Sequence, residues 1–340
     1  MFEEAAVPDH SHALAATSGS IGSPGLWTVS ALVLLVLLAA DFAVTRRPHE
    51  VGLREAAGWS VFYLALPFAF AGYLWWAYSG GHALEFATGF VVEKSLSVDN
   101  LFVFMLILTG FAVPKALQQR VLLYGIVGAL VLRGLFIAAG AALLQAGTWA
   151  FLVFGAILFA TAVKILHEAM TGSAFDKDVS QMRSVRFVRR LVPVTDDYRG
   201  ARLSVRESGR RALTPLTVVV VAIFATDVVF AVDSVPAIYG VTQDPYLVFA
   251  TNVFALLGLR ALYFLLKAAL AKLTHLNHGL ALILAFIGVK LVLHWAHGVW
   301  PVVPEIPTPL SLVVIVLVLL VVTVTSLRAQ RTAKEDAPRS

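Results

Sequence analysis

Two stretches of this sequence place acids at one spacing. The first is Glu93-Lys-Ser-Leu-Ser-Val-Asp99-Asn100 and the second is Asp227-Val-Val-Phe-Ala-Val-Asp233-Ser234. Each reads acid, five residues, aspartate, then a small amide or hydroxyl. Four carboxylates, the Asn100 amide and the Ser234 hydroxyl, with Ser97 and Thr226 nearby, offer oxygen ligands. Such sets suit hard divalent cations: magnesium, calcium or manganese. Zinc or copper would favour His or Cys. The chain has no Cys and only 4 Met. That excludes disulfides, Fe–S clusters, thiolate metal sites and Cys nucleophiles. His167 and His294 fall near the ends of apolar stretches and read as structural or interfacial. Asp9, His10 and His12 read as a solvated tail rather than a chelating site.

The spacing poses a geometric problem. Six residues turn an ideal helix through 600°, so Glu93 and Asp99 lie about 120° apart. Glu93 and Asn100 share a face, as do Asp227 and Ser234. Either Asp99 and Asp233 point towards neighbouring helices, or the helices are locally unwound. Pro236 favours a break in the second stretch, because it frees the carbonyl of Val232. Broken helices supply backbone oxygens at many ion sites.

The elements that carry these acids are apolar. Of 340 residues, 59% are hydrophobic and 14% charged, with mean hydropathy +0.82. Soluble domains are near half apolar and a quarter charged. Nine apolar stretches, roughly 26–44, 59–78, 83–109, 121–144, 149–168, 215–238, 246–268, 278–298 and 309–327, are long enough to span a ~30 Å hydrocarbon core. Backbone in lipid must satisfy its own hydrogen bonds, so these stretches should be helices. A barrel needs alternation, and Ala31 to Ala40 does not alternate. The expected fold is an all-α polytopic membrane protein with about nine transmembrane helices. Trp59, Trp75, Trp76, Trp149, Trp295 and Trp300 stand near stretch ends, as an aromatic belt would. Residues 1–25 hold no Lys or Arg, so no cleaved signal peptide is expected.

Lys94, Arg133, Lys164, Arg260 and Lys290 lie inside the stretches. Every other Lys or Arg falls in the connections after stretches one, three, five and seven, with Lys267 at the very end of the seventh, or in the C-terminal tail. This alternation places the N-terminus outside and the C-terminus in the cytoplasm. The excess of 26 basic over 21 acidic residues is thus a topology signal, and no nucleic-acid partner is expected.

The likeness of the two acidic stretches continues downstream. Gly128-Ala-Leu-Val-Leu-Arg133-Gly-Leu-Phe136 resembles Ala255-Leu-Leu-Gly-Leu-Arg260-Ala-Leu-Tyr263. Ala162-Val163-Lys164 with His167 resembles Gly288-Val289-Lys290 with His294. The repeating unit holds three stretches, an odd number, so the second copy enters the membrane from the other side. Such inverted repeats build many secondary transporters, with the site near mid-membrane between the copies. The organisation read from this is an extracytoplasmic tail (1–25), peripheral helices one and two (26–78) and repeat one (83–168). A basic cytoplasmic connection (169–212), repeat two (215–298), a ninth helix (309–327) and a cytoplasmic tail (328–340) follow.

An ionisable group at the bilayer centre costs about 2.5–3.5 kcal/mol even on lenient scales, so such residues are functional candidates. Antiparallel copies should set Glu93 at the depth of Asp233 and Asp99 at that of Asp227, giving two acidic pairs. Arg133 and Arg260 can compensate carboxylates when no cation is bound. Lys94 sits about 100° round the helix from Glu93 and need not touch it.

At these residues the sequence resembles the TerC/Alx family of integral membrane proteins, over roughly 55–325. The likeness rests on Glu93 through Asn100, on Phe224-Ala225-Thr226-Asp227, on Asp233-Ser234-Val235-Pro236-Ala237-Ile238, and on Asn252 and Arg260. It implies kinship with 3+3 transporters such as the lysine exporters. It further implies manganese(II) export or handling in the cell inner membrane, with proton antiport as one coupling. The metal would be cargo rather than a prosthetic group. The tellurium-resistance label attached to the family describes a phenotype. Metal loading of other membrane or exported proteins, or tellurite-stress resistance without direct transport, is the alternative role. Glu93, Asp99, Asn100, Asp227, Asp233 and Ser234 would bind the metal, with Ser97, Thr226, Pro236, Asn252, Arg133, Arg260 and Lys94 supporting or gating. No catalytic residues are expected. An intramembrane aspartyl protease would need Tyr-Asp and Gly-x-Gly-Asp, whereas Thr226 precedes Asp227 and Val232 precedes Asp233. A retinal pump would want an acid four residues before Lys290, where Phe286 stands.

Overall fold

The apolar stretches fold as helices in the computed structural model, which describes residues 20–45, 53–171, 194–195, 197–207, 210–259, 262–263 and 276–335. In chain order they are α1 (Pro24–Thr45), α2 (Leu53–Ala77), α3 (Gly80–Gly110), α4 (Lys115–Ala146) and α5 (Ala150–Thr171). A hairpin of β1 (Ser204–Glu207) and β2 (Arg210–Leu213) follows. Then come α6 (Pro215–Tyr239), α7 (Pro245–Leu257), α8 (Leu276–Val299) and α9 (Thr308–Glu335). Among the described residues six helices, α2, α4, α5, α6, α8 and α9, are long and apolar enough to cross a membrane. α1 and α7 contribute shorter apolar segments. α3 has 31 residues, but Glu85, Glu93, Lys94 and Asp99 interrupt its apolar run. The chain is a polytopic all-α membrane protein.

Local chemistry sets the helix ends. The Ser79 side chain accepts the His82 N–H at the start of α3. Asp244 does the same for Tyr246 at the start of α7, at 2.8 Å. Pro215 and Pro245 occupy the first turns of α6 and α7, where a missing N–H costs nothing. The expected break at Pro236 does not occur. α6 runs unbroken from Pro215 to Tyr239, and α3 is likewise continuous. Pro236 lies in the last turn, and the Gly240 N–H still bonds its carbonyl at 3.0 Å. The helix therefore ends just after the proline instead of unwinding before it.

The hairpin is a second departure from expectation, since 169–212 reads as a basic connection. Ser204 pairs with Leu213 and Glu207 with Arg210, antiparallel. Residues 172–193 lie outside the described set, as does most of the stretch between Leu259 and Leu276.

The bundle has two distinct ends. At one, the cavity-lining residues Ser20, Gln145, Asp244 and Glu305 gather the segment before α1, the end of α4 and the start of α7 with the α8–α9 connection. At the other, Tyr198 donates to the Phe111 carbonyl at 2.7 Å, tying the segment before the hairpin to the α3–α4 turn. Large apolar side chains on the outer faces of α1, α2, α4 and α9, such as Val36, Phe68, Leu135 and Val321, are exposed, as a lipid-facing surface requires.

Inside, helices come close where side chains are small. A Cβ on Gly155 of α5 would sit 3.1 Å from the Gly288 carbonyl of α8, and one on Gly288 3.2 Å from the Gly155 carbonyl. This reciprocal contact is the small-residue packing usual in membranes. A Cβ on Gly128 of α4 would lie 1.4 Å from the Phe224 ring of α6, so the ring is seated on the glycine. These contacts fix α4 and α6 around the polar side chains between them.

Candidate functional site

Arg133 of α4 is 1% exposed and sits among oxygen groups from three other helices. Its Nη1 donates to Glu93 Oε1 of α3 and to Asn252 Oδ1 of α7 at 2.7 Å. Its Nη2 reaches Asp227 Oδ1 of α6 at 3.4 Å. The planar guanidinium fork lets one side chain serve several acceptors. Asn252 donates its own amide to the Val248 carbonyl at 2.8 Å, which turns its oxygen towards Arg133. Asn100, oriented to donate to the Leu96 carbonyl at 3.1 Å, accepts from Arg133 Nη2 at 3.3 Å. With both carboxylates ionised, Glu93, Asp227 and Arg133 carry one net negative charge.

Several buried oxygens on α3, α6 and α7 have no hydrogen-bond partner. They are Glu93 Oε2, Asp227 Oδ2, Ser97 Oγ, Ser234 Oγ and Thr251 Oγ1. Leaving such groups unmade costs about 1–3 kcal/mol each, more for a charged one. Two of them, Glu93 Oε2 and Asp227 Oδ2, belong to the carboxylates that Arg133 bridges, so the centre has room in its bonding for a cationic or hydrogen-bonding guest. Among the described residues, no three or more His, Asp or Glu side chains stand close enough to hold a metal ion by themselves.

The expected residues divide as follows. Glu93, Asn100, Asp227, Asn252 and Arg133 come together. Ser97 and Ser234 are buried and unpartnered nearby on α3 and α6. Asp233 is half-buried, and the bonds described for Arg133 go to Glu93, Asn252 and Asp227. The Asp99 side chain and all of Arg260 lie outside the described residues. Thr226 is spent on the Ala222 carbonyl of its own helix at 2.8 Å. Lys94 points elsewhere and donates to the Ala255 carbonyl of α7 at 3.2 Å.

Antiparallel counting matches Glu93 with Asp233 and Asp227 with Asp99; the structure adds that one guanidinium bridges Glu93 and Asp227. Counting residues along the axis ignores side-chain reach, and an extended Arg side chain is longer than the roughly 5.4 Å of one helical turn. Thr251, buried and unpartnered beside Asn252 on α7, is a polar core residue that the sequence pattern does not reveal. Only its place next to Asn252 in an apolar helix could have signalled it.

The Integral membrane protein TerC family profile matches residues 78–334. An uncharacterized membrane protein of Myxococcus xanthus is 39% identical over 278 residues, covering 82% of this chain and 86% of that one. The protein of Escherichia coli (strain K12) named "Putative membrane-bound redox modulator Alx" is 40% identical over 286 residues, 81% of this chain and 87% of that one. An uncharacterized membrane protein of Mycobacterium tuberculosis is 39% identical over 280 residues, 82% and 70% of the two chains. No solved structure matches the chain. The Arg133 centre is built from the stretches that carry the likeness, and the chain belongs to the integral membrane protein TerC family.

Proposed function

We propose that the chain exports a divalent cation, manganese(II) by preference, across the cell inner membrane. The observation that carries this reading is the bridge by Arg133 between one carboxylate from each acidic stretch, with a spare oxygen on each. A guanidinium there does what a metal would do: it compensates buried carboxylates. A hard cation entering against Glu93, Asp227, Asn100, Ser97 and Ser234 would replace it with an all-oxygen shell. Asp99 and Asp233 complete the proposed ligand set. The displaced guanidinium is retained on α4, so the empty and loaded states differ in where one buried positive charge sits.

The 3+3 inverted core and the nine-span count belong to the same proposal. Their support is a reciprocal packing pattern. α4 packs on α6 as α7 packs on α3, and α5 packs on α8, as a two-fold axis in the membrane plane would arrange them. Support for the orientation comes from charge: Lys115, Arg120, Arg199, Arg202 and Arg211 fall at the end opposite the cavity. That end is the cytoplasmic one in this reading.

Release against a gradient needs a driving ion, and protons replacing the cation on the carboxylates would provide it. The name borne by the Escherichia coli relative suggests redox modulation. This chain has no Cys, so thiol chemistry is not available to it, and a redox effect would follow from manganese handling. The test is manganese resistance in cells lacking their own exporter. Wild type should restore it, and Glu93→Gln and Asp227→Asn should not, at equal protein in the membrane. Full resistance in both variants overturns the proposal.

A further inference from the structure

The hairpin of β1 and β2 sets two arginines against each other. In its antiparallel register Arg206 of β1 stands directly opposite Arg211 of β2. Directly opposed residues project to one face with Cβ atoms about 5 Å apart, and like charges so placed destabilise a strand pair. Both arginines are exposed, as is Arg202 just before β1. None of the three side chains has a hydrogen bond or ion pair among the described residues.

The backbone around them is held in place. Thr214 Oγ1 donates to the Arg202 carbonyl at 2.7 Å, and Thr217 Oγ1 of α6 donates to that of Leu203. The Thr214 N–H reaches the Leu203 carbonyl at 3.0 Å, and the Thr195 N–H reaches that of Leu213 at 2.9 Å. Only Thr214 separates β2 from α6, which is long and apolar enough to cross a membrane. With 25 residues, α6 is about 37 Å long and exceeds a ~30 Å hydrocarbon core. Its first turn and the hairpin before it therefore lie among lipid headgroups. Leu203, beside Arg202, is 39% exposed. An exposed apolar side chain among arginines suits the boundary between headgroups and acyl chains.

We infer that the hairpin is a binding site for the headgroup of an anionic phospholipid, with Arg206 and Arg211 sharing its phosphate and Arg202 alongside. Guanidinium groups take phosphate oxygens in pairs, and an anion between the two arginines turns a repelling pair into an attractive one. Leu203, meeting the first methylenes, favours a lipid over a free phosphate. The site fixes the connection between α5 and α6 on the membrane surface and does not depend on what the Arg133 centre carries.

The chain has no Cys, so Ser204→Cys, on the exposed strand beside the pair, provides one attachment point for a fluorophore. The labelled full-length chain is placed in nanodiscs whose phosphatidylglycerol or phosphatidylcholine carries bromine, a quencher, high on the acyl chains. At equal mole fraction, brominated phosphatidylglycerol should quench at least about threefold more than brominated phosphatidylcholine. Adding Arg206→Gln and Arg211→Gln should make the two lipids equal. Arg211→Glu should also abolish the preference, yet leave the hairpin no less stable, because it creates an opposite-charge cross-strand pair. Equal quenching by both lipids in the otherwise unaltered chain, or an unchanged preference with Arg211→Glu, overturns the site. Inorganic phosphate that erases the preference, where sodium chloride of equal ionic strength does not, overturns the lipid assignment.

Discussion

Arg133 is the residue on which the rest of the polar core depends. Removing one partner of a buried ion pair costs about 3–5 kcal/mol, because the other charge is left uncompensated. Arg133→Gln leaves Glu93 and Asp227 in that condition. The variant should unfold at lower temperature in detergent, and millimolar manganese should recover most of the loss. Wild type should gain less from the metal, since its carboxylates are already compensated. A variant as stable as wild type and indifferent to manganese would contradict the surrogate-cation role. Much of this chemistry is legible in the sequence. Glu93, Asp227, Asn100, Asn252 and Arg133 can all be named from type and spacing. That Arg133 joins Glu93 to Asp227 cannot, because helix arithmetic places Cα atoms and not the ends of long side chains.

The helices show the same division between what pattern carries and what packing decides. Apolar runs locate α3 and the start of α7 from sequence alone, while the caps at Ser79 and Asp244 emerge with the structure. The continuity of α6 through Pro236 does not follow from the proline rule, because a proline in the last turn removes one bond and ends the helix rather than breaking it. The hairpin at Ser204–Leu213 is hidden by its arginines, which sit on a short alternating pair instead of an apolar strand. The seat of Phe224 on Gly128 is a packing fact with no local signature. Gly128→Ala puts a methyl into that ring and should lower stability by about 1–3 kcal/mol, read as yield and melting temperature in detergent. Phe224→Leu should return part of the loss when combined with it, because the two sites are in contact. Additive losses in the double variant would argue against the seat.

The molecule as a whole sorts charge by end, and the order of residues along the chain already carries that sorting. Lys and Arg are missing from every connection at the cavity end. A reporter inserted between Val241 and Asp244 should therefore face outside, and one between Arg199 and Arg202 should face the cytoplasm. Both on one side would break the inverted arrangement. Export then requires that an intramembrane site hand a metal from one end to the other. Purified chain in liposomes, loaded with manganese or fed it from outside, measures this without other cellular proteins. Saturable manganese flux is expected in wild type and only leak in Glu93→Gln and Asp227→Asn. Flux in wild type no greater than in empty liposomes, or equal flux in the two variants, would contradict transport through the Arg133 centre.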